Sequence, residues 1–190
     1  MKTLLINNFS PYVYNIIKIL NDLDNEFACY DCNHLSSMVD DGYLDLLKGY
    51  DNVILSGRRQ NSILVNKVNS RIVKGCLIYD KPLLGICYGG QILALTLGGT
   101  LKKMEKISDI VKIDILETSA LLPKYESVQM FESHNFCVSR LSEKFTLLGS
   151  SKECDNEFFC FNGKPLFGTQ FHPEKSGRHG KYMLENFLKI

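Results

Sequence analysis

The sequence predicts an α/β protein: a mostly parallel central sheet flanked by helices, with an antiparallel extension. Three observations carry this. Short apolar runs alternate with longer amphipathic stretches over the first two thirds of the chain. One of those runs, residues 82–86, is apolar and bounded by Pro82 and Gly85, which marks a strand buried on both faces. From Thr100 onward the helical period gives way to closely spaced β-like runs. Strands alternating with helices are joined by right-handed crossovers into a parallel sheet, and the later strands extend it in antiparallel fashion.

In order, residues 3–6 form an apolar run, and Ser10-Pro11 opens a helix to residue 23, a side-chain oxygen meeting free N–H groups and proline standing where no N–H is needed. Val13, Ile16, Ile17 and Leu20 give it one apolar face. Residues 27–30 and 53–55 are strands on either side of a mixed stretch to residue 48. A helix over 62–78 follows, with Ile63, Leu64, Val68, Ile72 and Val73 in helical register. Next come the strand 82–86 and a helix over 91–97 stopped by Gly98-Gly99. Strands are expected over 110–116, 128–131, 136–138, 145–148, 157–161 and 166–171, and a last helix over 180–188.

With 190 residues and no repeat, low-complexity segment or linker, residues 1–190 are expected to form one domain. The 22 basic and 21 acidic residues nearly cancel and gather into no block, so no footprint for nucleic acid or an anionic membrane is present and a small ligand is expected. The opening apolar run is too short for a signal peptide, and no run approaches the roughly 18 apolar residues of a spanning helix. Seven cysteines, an odd number, in a chain able to stabilise itself by burial read as reduced thiols. The cytoplasm is the expected compartment.

Gly85-Ile86-Cys87-Tyr88-Gly89 places a cysteine between a buried strand and a helix, with glycines two before and two after it. This is the nucleophile-elbow pattern in its cysteine form, in which the nucleophile occupies a strained turn that neighbouring side chains would obstruct. The helix N-terminus favours a thiolate there, and the Tyr88 N–H can face a developing oxyanion. The pentapeptide alone is read equally well as a strand-to-helix turn with a buried cysteine. Gln170-Phe171-His172-Pro173-Glu174 adds what it lacks. Pro173 drives His172 into an extended conformation, so that His172 and Glu174 point the same way. The imidazole can then deprotonate Cys87 while Glu174 holds its tautomer.

These two motifs resemble those of the class I, or triad, glutamine amidotransferases, G-[IV]-C-x-G-x-Q and Q-F-H-P-E, and the resemblance covers essentially the whole chain. It implies a flavodoxin-like α/β architecture, no cofactor, and transfer of glutamine's side-chain acyl group to the cysteine with release of ammonia. It further implies Cys87 as nucleophile, His172 as general base and acid, Glu174 as its orienter and Gln91 as part of the glutamine pocket. Ser133 and His134 match the segment whose backbone holds glutamine's α-amino and α-carboxylate groups. The oxyanion loop departs from the pattern: Ser56-Gly57-Arg58-Arg59 stands where the family shows S-G-G-P. Gly57 is kept, and the Arg58 N–H serves as a donor only if its conformation allows. Replacing Arg58 by glycine is therefore expected to raise activity if the native loop is misaligned. Gly90 replaces a bulkier residue, which is expected to widen the pocket or loosen the helix.

Cys29-Tyr30-Asp31-Cys32 is a CxxC without a second pair, read as a redox or half-metal site or as ordinary strand-end cysteines, and no metal is expected. Arg58 and Arg59 are read as a solvated loop or as a contact for a partner or anionic substrate. No segment is left over for ATP use or an acceptor, so a synthetase partner receiving ammonia is expected. The Glu132-Ser133-His134 run and the short chain most resemble the free-standing glutaminase subunit of GMP synthase. The first and last segments look closer to the anthranilate or aminodeoxychorismate synthase subunit, and His172 to Ser176 to the imidazole-glycerol-phosphate synthase subunit. An independent γ-glutamyl hydrolase and a regulatory module without turnover are the readings from other classes.

Overall fold

The computed structural model describes residues 1–38 and 42–190, without the side chain of Tyr43; the part of the mixed stretch at 39–41 lies outside the described residues. Nine described strands form a sheet of order β2-β1-β3-β4-β9-β8-β7-β5-β6. The parallel half comprises β1 (Lys2–Asn7), β2 (Glu26–Asp31), β3 (Asn52–Leu55), β4 (Leu83–Ile86) and β9 (Leu166–Thr169). The antiparallel extension comprises β8 (Phe158–Phe161), β7 (Phe145–Ser150), β5 (Thr100–Ile115) and β6 (Ser127–Arg140). The fold class is the one the alternation predicts.

The central strands β3, β4 and β9 are buried at every position because apolar clusters cover both faces of the sheet. On one face lie α2 (Cys32–Ser36), α3 (Gly42–Leu46), α4 (Ile63–Ile78) and α5 (Tyr88–Thr96); on the other lie α1 (Val13–Asp22) and α6 (Gly177–Phe187). Val13, Ile16 and Leu20 of α1 are buried as the periodicity requires. The helix starts two residues after Pro11, and Ser10 Oγ accepts the Tyr12 N–H at 3.1 Å.

Several boundaries move for identifiable reasons. Ser62 caps α4 by accepting the Val65 N–H, so its buried stripe begins at Val65, and Ile63 and Leu64 are exposed rather than packed. β6 is continuous where two short strands were expected. Its inward positions include Glu132 and His134, so buried polar residues interrupt the apolar alternation, and the pairing with β5 shifts register just beyond His134 while the strand itself continues. β5 runs ten residues earlier than expected because its first half pairs only with β6 and buries almost nothing.

One glycine sets how closely α6 approaches the 3₁₀ turn that follows β9. A Cβ on Gly180 would lie 1.8 Å from the Pro173 carbonyl oxygen, whereas one on Gly49 would meet nothing within 4 Å. Gly180→Ala is therefore expected to destabilise the fold by at least about 1–3 kcal/mol, with Gly49→Ala close to neutral, read as shifts in the urea unfolding midpoint.

Candidate active site

Cys87 follows β4 directly and adopts φ 51°, ψ −105°, a left-handed conformation that side chains rarely take. Its N–H donates to Thr169 O at 2.8 Å, and its carbonyl accepts the Gln91 N–H at 2.9 Å. The turn closes only over glycines. A Cβ on Gly85 would sit 2.4 Å from the Gly89 carbonyl, and one on Gly89 would sit 2.4 Å from the Leu55 carbonyl. Gly90 behaves likewise: its Cβ would be 2.6 Å from Thr169 O. Gly90 thus packs α5 against β9, and the expectation of a widened pocket or loosened helix gives way to a tight backbone approach. α5 begins at Tyr88, three residues earlier than expected, so the Tyr88 N–H belongs to the first turn and has no intrahelical acceptor.

β9 lies beside β4 with Thr169 opposite Ile86, so the residues leaving both strands emerge together. This register brings His172 to Cys87. His172 is extended, as Pro173 requires, and its N–H donates to Phe131 O of β6 at 2.8 Å. The chain does not stay extended as expected: Pro173–Lys175 turns as a 3₁₀ helix, and through that turn the Glu174 Oε1 comes 2.8 Å from His172 Nδ1. Both side chains are buried. The Tyr12 ring packs edge-on against the imidazole at 4.9 Å. His172 Nε2 is buried with no fixed hydrogen-bond partner among the described residues. Gly57 lies beneath the pair: a Cβ there would be 3.0 Å from His172 Cε1 and 3.7 Å from Cys87 Cβ.

Burial opposes a charged imidazole at this depth. The Glu174 carboxylate, and after it the Cys87 sulfur, outweigh that opposition and hold His172 well above the usual imidazole range. The arrangement can hold an imidazolium beside sulfur and later return its proton to a leaving group.

The loop after β3 is tied down twice. Asn8 donates from its backbone to Ser56 Oγ and from its side chain to Ser56 O, each at 2.9 Å. Arg58 lies 3.8 Å over the Tyr88 ring and donates to Asn66 Oδ1 at 2.6 Å, an oxygen that also accepts the Tyr88 hydroxyl at 2.9 Å. Burial lowers the Arg58 pKa. Arg58 is half-buried and engaged, whereas Arg59 is solvated.

Gln91 and Ser133 also lie near this cluster. Gln91 donates to Phe136 O at 2.7 Å and to Gln170 Oε1 at 3.1 Å. The Tyr12 hydroxyl reaches Ser133 Oγ at 3.4 Å. The His134 ring does not join Cys87; its Nε2 meets Glu132 Oε2 at 2.7 Å in a second buried pair. Sequence reasoning gave no role to Gln170, whose Nε2 donates to Cys87 Sγ at 3.7 Å. Its position two residues before His172 in an extended run was the available signal. Tyr12 and Asn66 carried none, because each arrives through tertiary packing. Cys29 is exposed and Cys32 is buried, its Sγ donating to Asn8 Oδ1 at 3.0 Å. Among the described residues, no group of three His, Cys, Asp or Glu is placed to hold a metal.

The class-I glutamine amidotransferase family model matches residues 4–190. The chain belongs to that family. As a class-I amidotransferase it is 30% identical to the glutamine-hydrolysing GMP synthase subunit of Thermoplasma volcanium over 196 residues, covering 100% of this chain and 92% of that protein. It is 38% identical to the same-named subunit of Pyrococcus furiosus over 117 residues, a match spanning 59% of this chain and 61% of that protein. Among solved structures, a Thermoplasma acidophilum protein assigned to the same GMP synthase subunit has the same fold, with TM-score 0.86 over 100% of this chain and 92% of that one at 24% identity.

Glu174→Gln is expected to lower the pH at which His172 loses its proton, since the leading interaction that raises it disappears; imidazole ¹H–¹⁵N resonances followed against pH measure this. The raised value also sets the sign of its stability effect. The His172 contribution is full below the ordinary histidine range and is lost as pH rises through the folded-state value.

Proposed function

We propose that this chain is the glutaminase subunit of a GMP synthase, hydrolysing glutamine through Cys87 and handing ammonia to a synthetase subunit. The observation that carries the chemistry is the buried Cys87–His172–Glu174 array at the elbow. The partner reading rests on likeness, along the whole chain, to glutamine-hydrolysing GMP synthase subunits. In this reading residues 1–190 act as one unit, and seven free thiols suit a reducing cytoplasm. Among the described residues, no helix is long and apolar enough to cross a membrane.

The Cys87 thiolate attacks the carboxamide carbon of glutamine, and the carbonyl electrons move onto oxygen. The backbone N–H groups of Tyr88 and of the Gly57-Arg58 loop receive that oxyanion. Collapse expels the amide nitrogen, which takes the His172 proton and leaves as ammonia, with the γ-acyl group held as a thioester. Neutral His172 then takes a proton from water attacking the thioester, and glutamate departs as the thiolate re-forms. Glu174 keeps the imidazole in one orientation throughout. The Ser133 and His134 backbone receives the α-amino and α-carboxylate groups. Gln91 lines the pocket through its Oε1, since both of its amide hydrogens are engaged.

Ammonia release by the purified chain is expected to be slow alone and to rise about a hundredfold with a GMP synthase ATP-pyrophosphatase subunit charged with its own substrates, which requires roughly 2.7 kcal/mol of differential stabilisation. His172→Ala should abolish release in both settings. Full-speed turnover that no partner alters would favour the independent γ-glutamyl hydrolase.

The engaged position of Arg58 reverses the expected effect of replacing it. Removing the side chain frees the loop from Tyr88 and Asn66, so Arg58→Gly is expected to lower turnover. The loss extends up to the hundredfold or more that one misplaced oxyanion donor costs, and Arg58→Lys should recover little of the stacking. Steady-state kinetics of both variants with the partner present decide the direction.

A further inference from the structure

Three amides stand in series behind the reactive sulfur. The first acceptor is the Phe136 carbonyl, a backbone group that cannot donate, so the Gln91 side chain must present its NH₂ group there, at 2.7 Å. The same nitrogen donates its other hydrogen to Gln170 at 3.1 Å, which fixes Gln170 with its oxygen toward Gln91. The Gln170 NH₂ group is therefore left facing Cys87 Sγ, at 3.7 Å. Gln91 and Gln170 are both buried, and the Gln170 backbone is anchored by its N–H on Glu157 O at 2.7 Å. A flip of either amide would set two donors or two acceptors face to face.

We infer that Gln170, oriented by Gln91 and the Phe136 carbonyl, is a further catalytic residue whose amide donates to the Cys87 sulfur and holds it as a thiolate aimed toward its target. This deepens the proposed glutaminase chemistry and rests on Cys87 being its nucleophile. His172 supplies the counter-charge, and Arg58 is the other cation whose field reaches Cys87. Neither supplies a bond of fixed geometry to the sulfur: His172 interacts with it directly, but its Nε2 stands outside hydrogen-bonding geometry, and Arg58 is bonded to Asn66 instead. Gln170 does, and a bond to an ion is stronger than one between neutral groups. When the thioester forms and the sulfur loses its charge, the bond weakens, so the donor favours expulsion of the acyl group in the second half of the reaction.

The test is the rate at which iodoacetamide alkylates Cys87 as a function of pH, with peptide mapping to isolate Cys87 from the other thiols. Gln170→Glu keeps the size and the oxygen facing Gln91 but turns a donor toward sulfur into an acceptor. Gln170→Met removes the donor without adding charge. Both are expected to move the alkylation profile to higher pH, with the rate at neutral pH down about tenfold for Met and further for Glu. An unchanged profile in a folded Gln170→Glu protein overturns the inference. Should neither variant fold, the wild type answers instead. The Gln170 side-chain ¹H–¹⁵N resonances must move with pH in step with the alkylation profile and shift again once Cys87 is alkylated; resonances indifferent to both overturn it. Alkylation needs neither glutamine nor a partner. A chain without glutaminase activity but with a displaced Gln170→Glu profile would therefore sink the glutaminase reading alone, and full glutaminase activity with an undisplaced profile would sink this one alone.

Discussion

A cysteine at φ 51° stands at the head of α5 only because backbone meets backbone on several sides of it. Gly85 touches Gly89, Gly89 touches the end of β3, and Gly90 touches β9; a methyl group at any of the three would collide with main-chain atoms. Main chain cannot yield as a side chain can, so the turn is over-determined by the sheet around it. Strain of this kind costs of order 1–3 kcal/mol and persists only where the surroundings leave no alternative. What the strain secures is a sulfur raised at the carboxyl edge of the sheet, with free N–H groups of the helix start beside it.

The neighbouring strand completes the site without any loop having to search for it. Because β9 is in register with β4, Gln170 and His172 leave the sheet beside Cys87, and the turn at Pro173 carries Glu174 behind the imidazole. A second buried histidine and glutamate, His134 and Glu132, share nearly the same contact distance. What separates the two pairs is position. One faces sulfur; the other lies beside Glu157, a carboxyl group whose pKa burial and then the Glu132 charge push up. A histidine–carboxylate pair is reactive chemistry only beside something it can deprotonate.

The departure in the loop after β3 also finds a physical reason. In the family pattern the proline would fix that loop by restricting its backbone, next to a glycine that imposes no side chain. Here a guanidinium laid on the Tyr88 ring and bonded to Asn66 holds it, which joins the loop after β3 to the start of α5. The constraint has moved from the main chain into a side-chain contact, a form that a docking partner can reinforce or release.

The α/β class, the elbow, the His-Pro-Glu segment and the alternation that builds the parallel half were all legible in the residues alone, because each is written in local terms: apolar period, glycine spacing, and proline's effect on the residue before it. Local reading misjudged what depends on surroundings. The two apolar residues opening α4 proved exposed, buried polar residues hid the continuity of β6, and the solvated ribbon half of β5 left no apolar pattern to read. That Gly90 serves close packing, that Arg58 is engaged rather than free, and that Gln170 meets the sulfur emerged only from the folded chain. Those outcomes turn on strand register and on which backbone atoms approach within a few ångströms, and such distances are set by the whole sheet rather than by any segment of it.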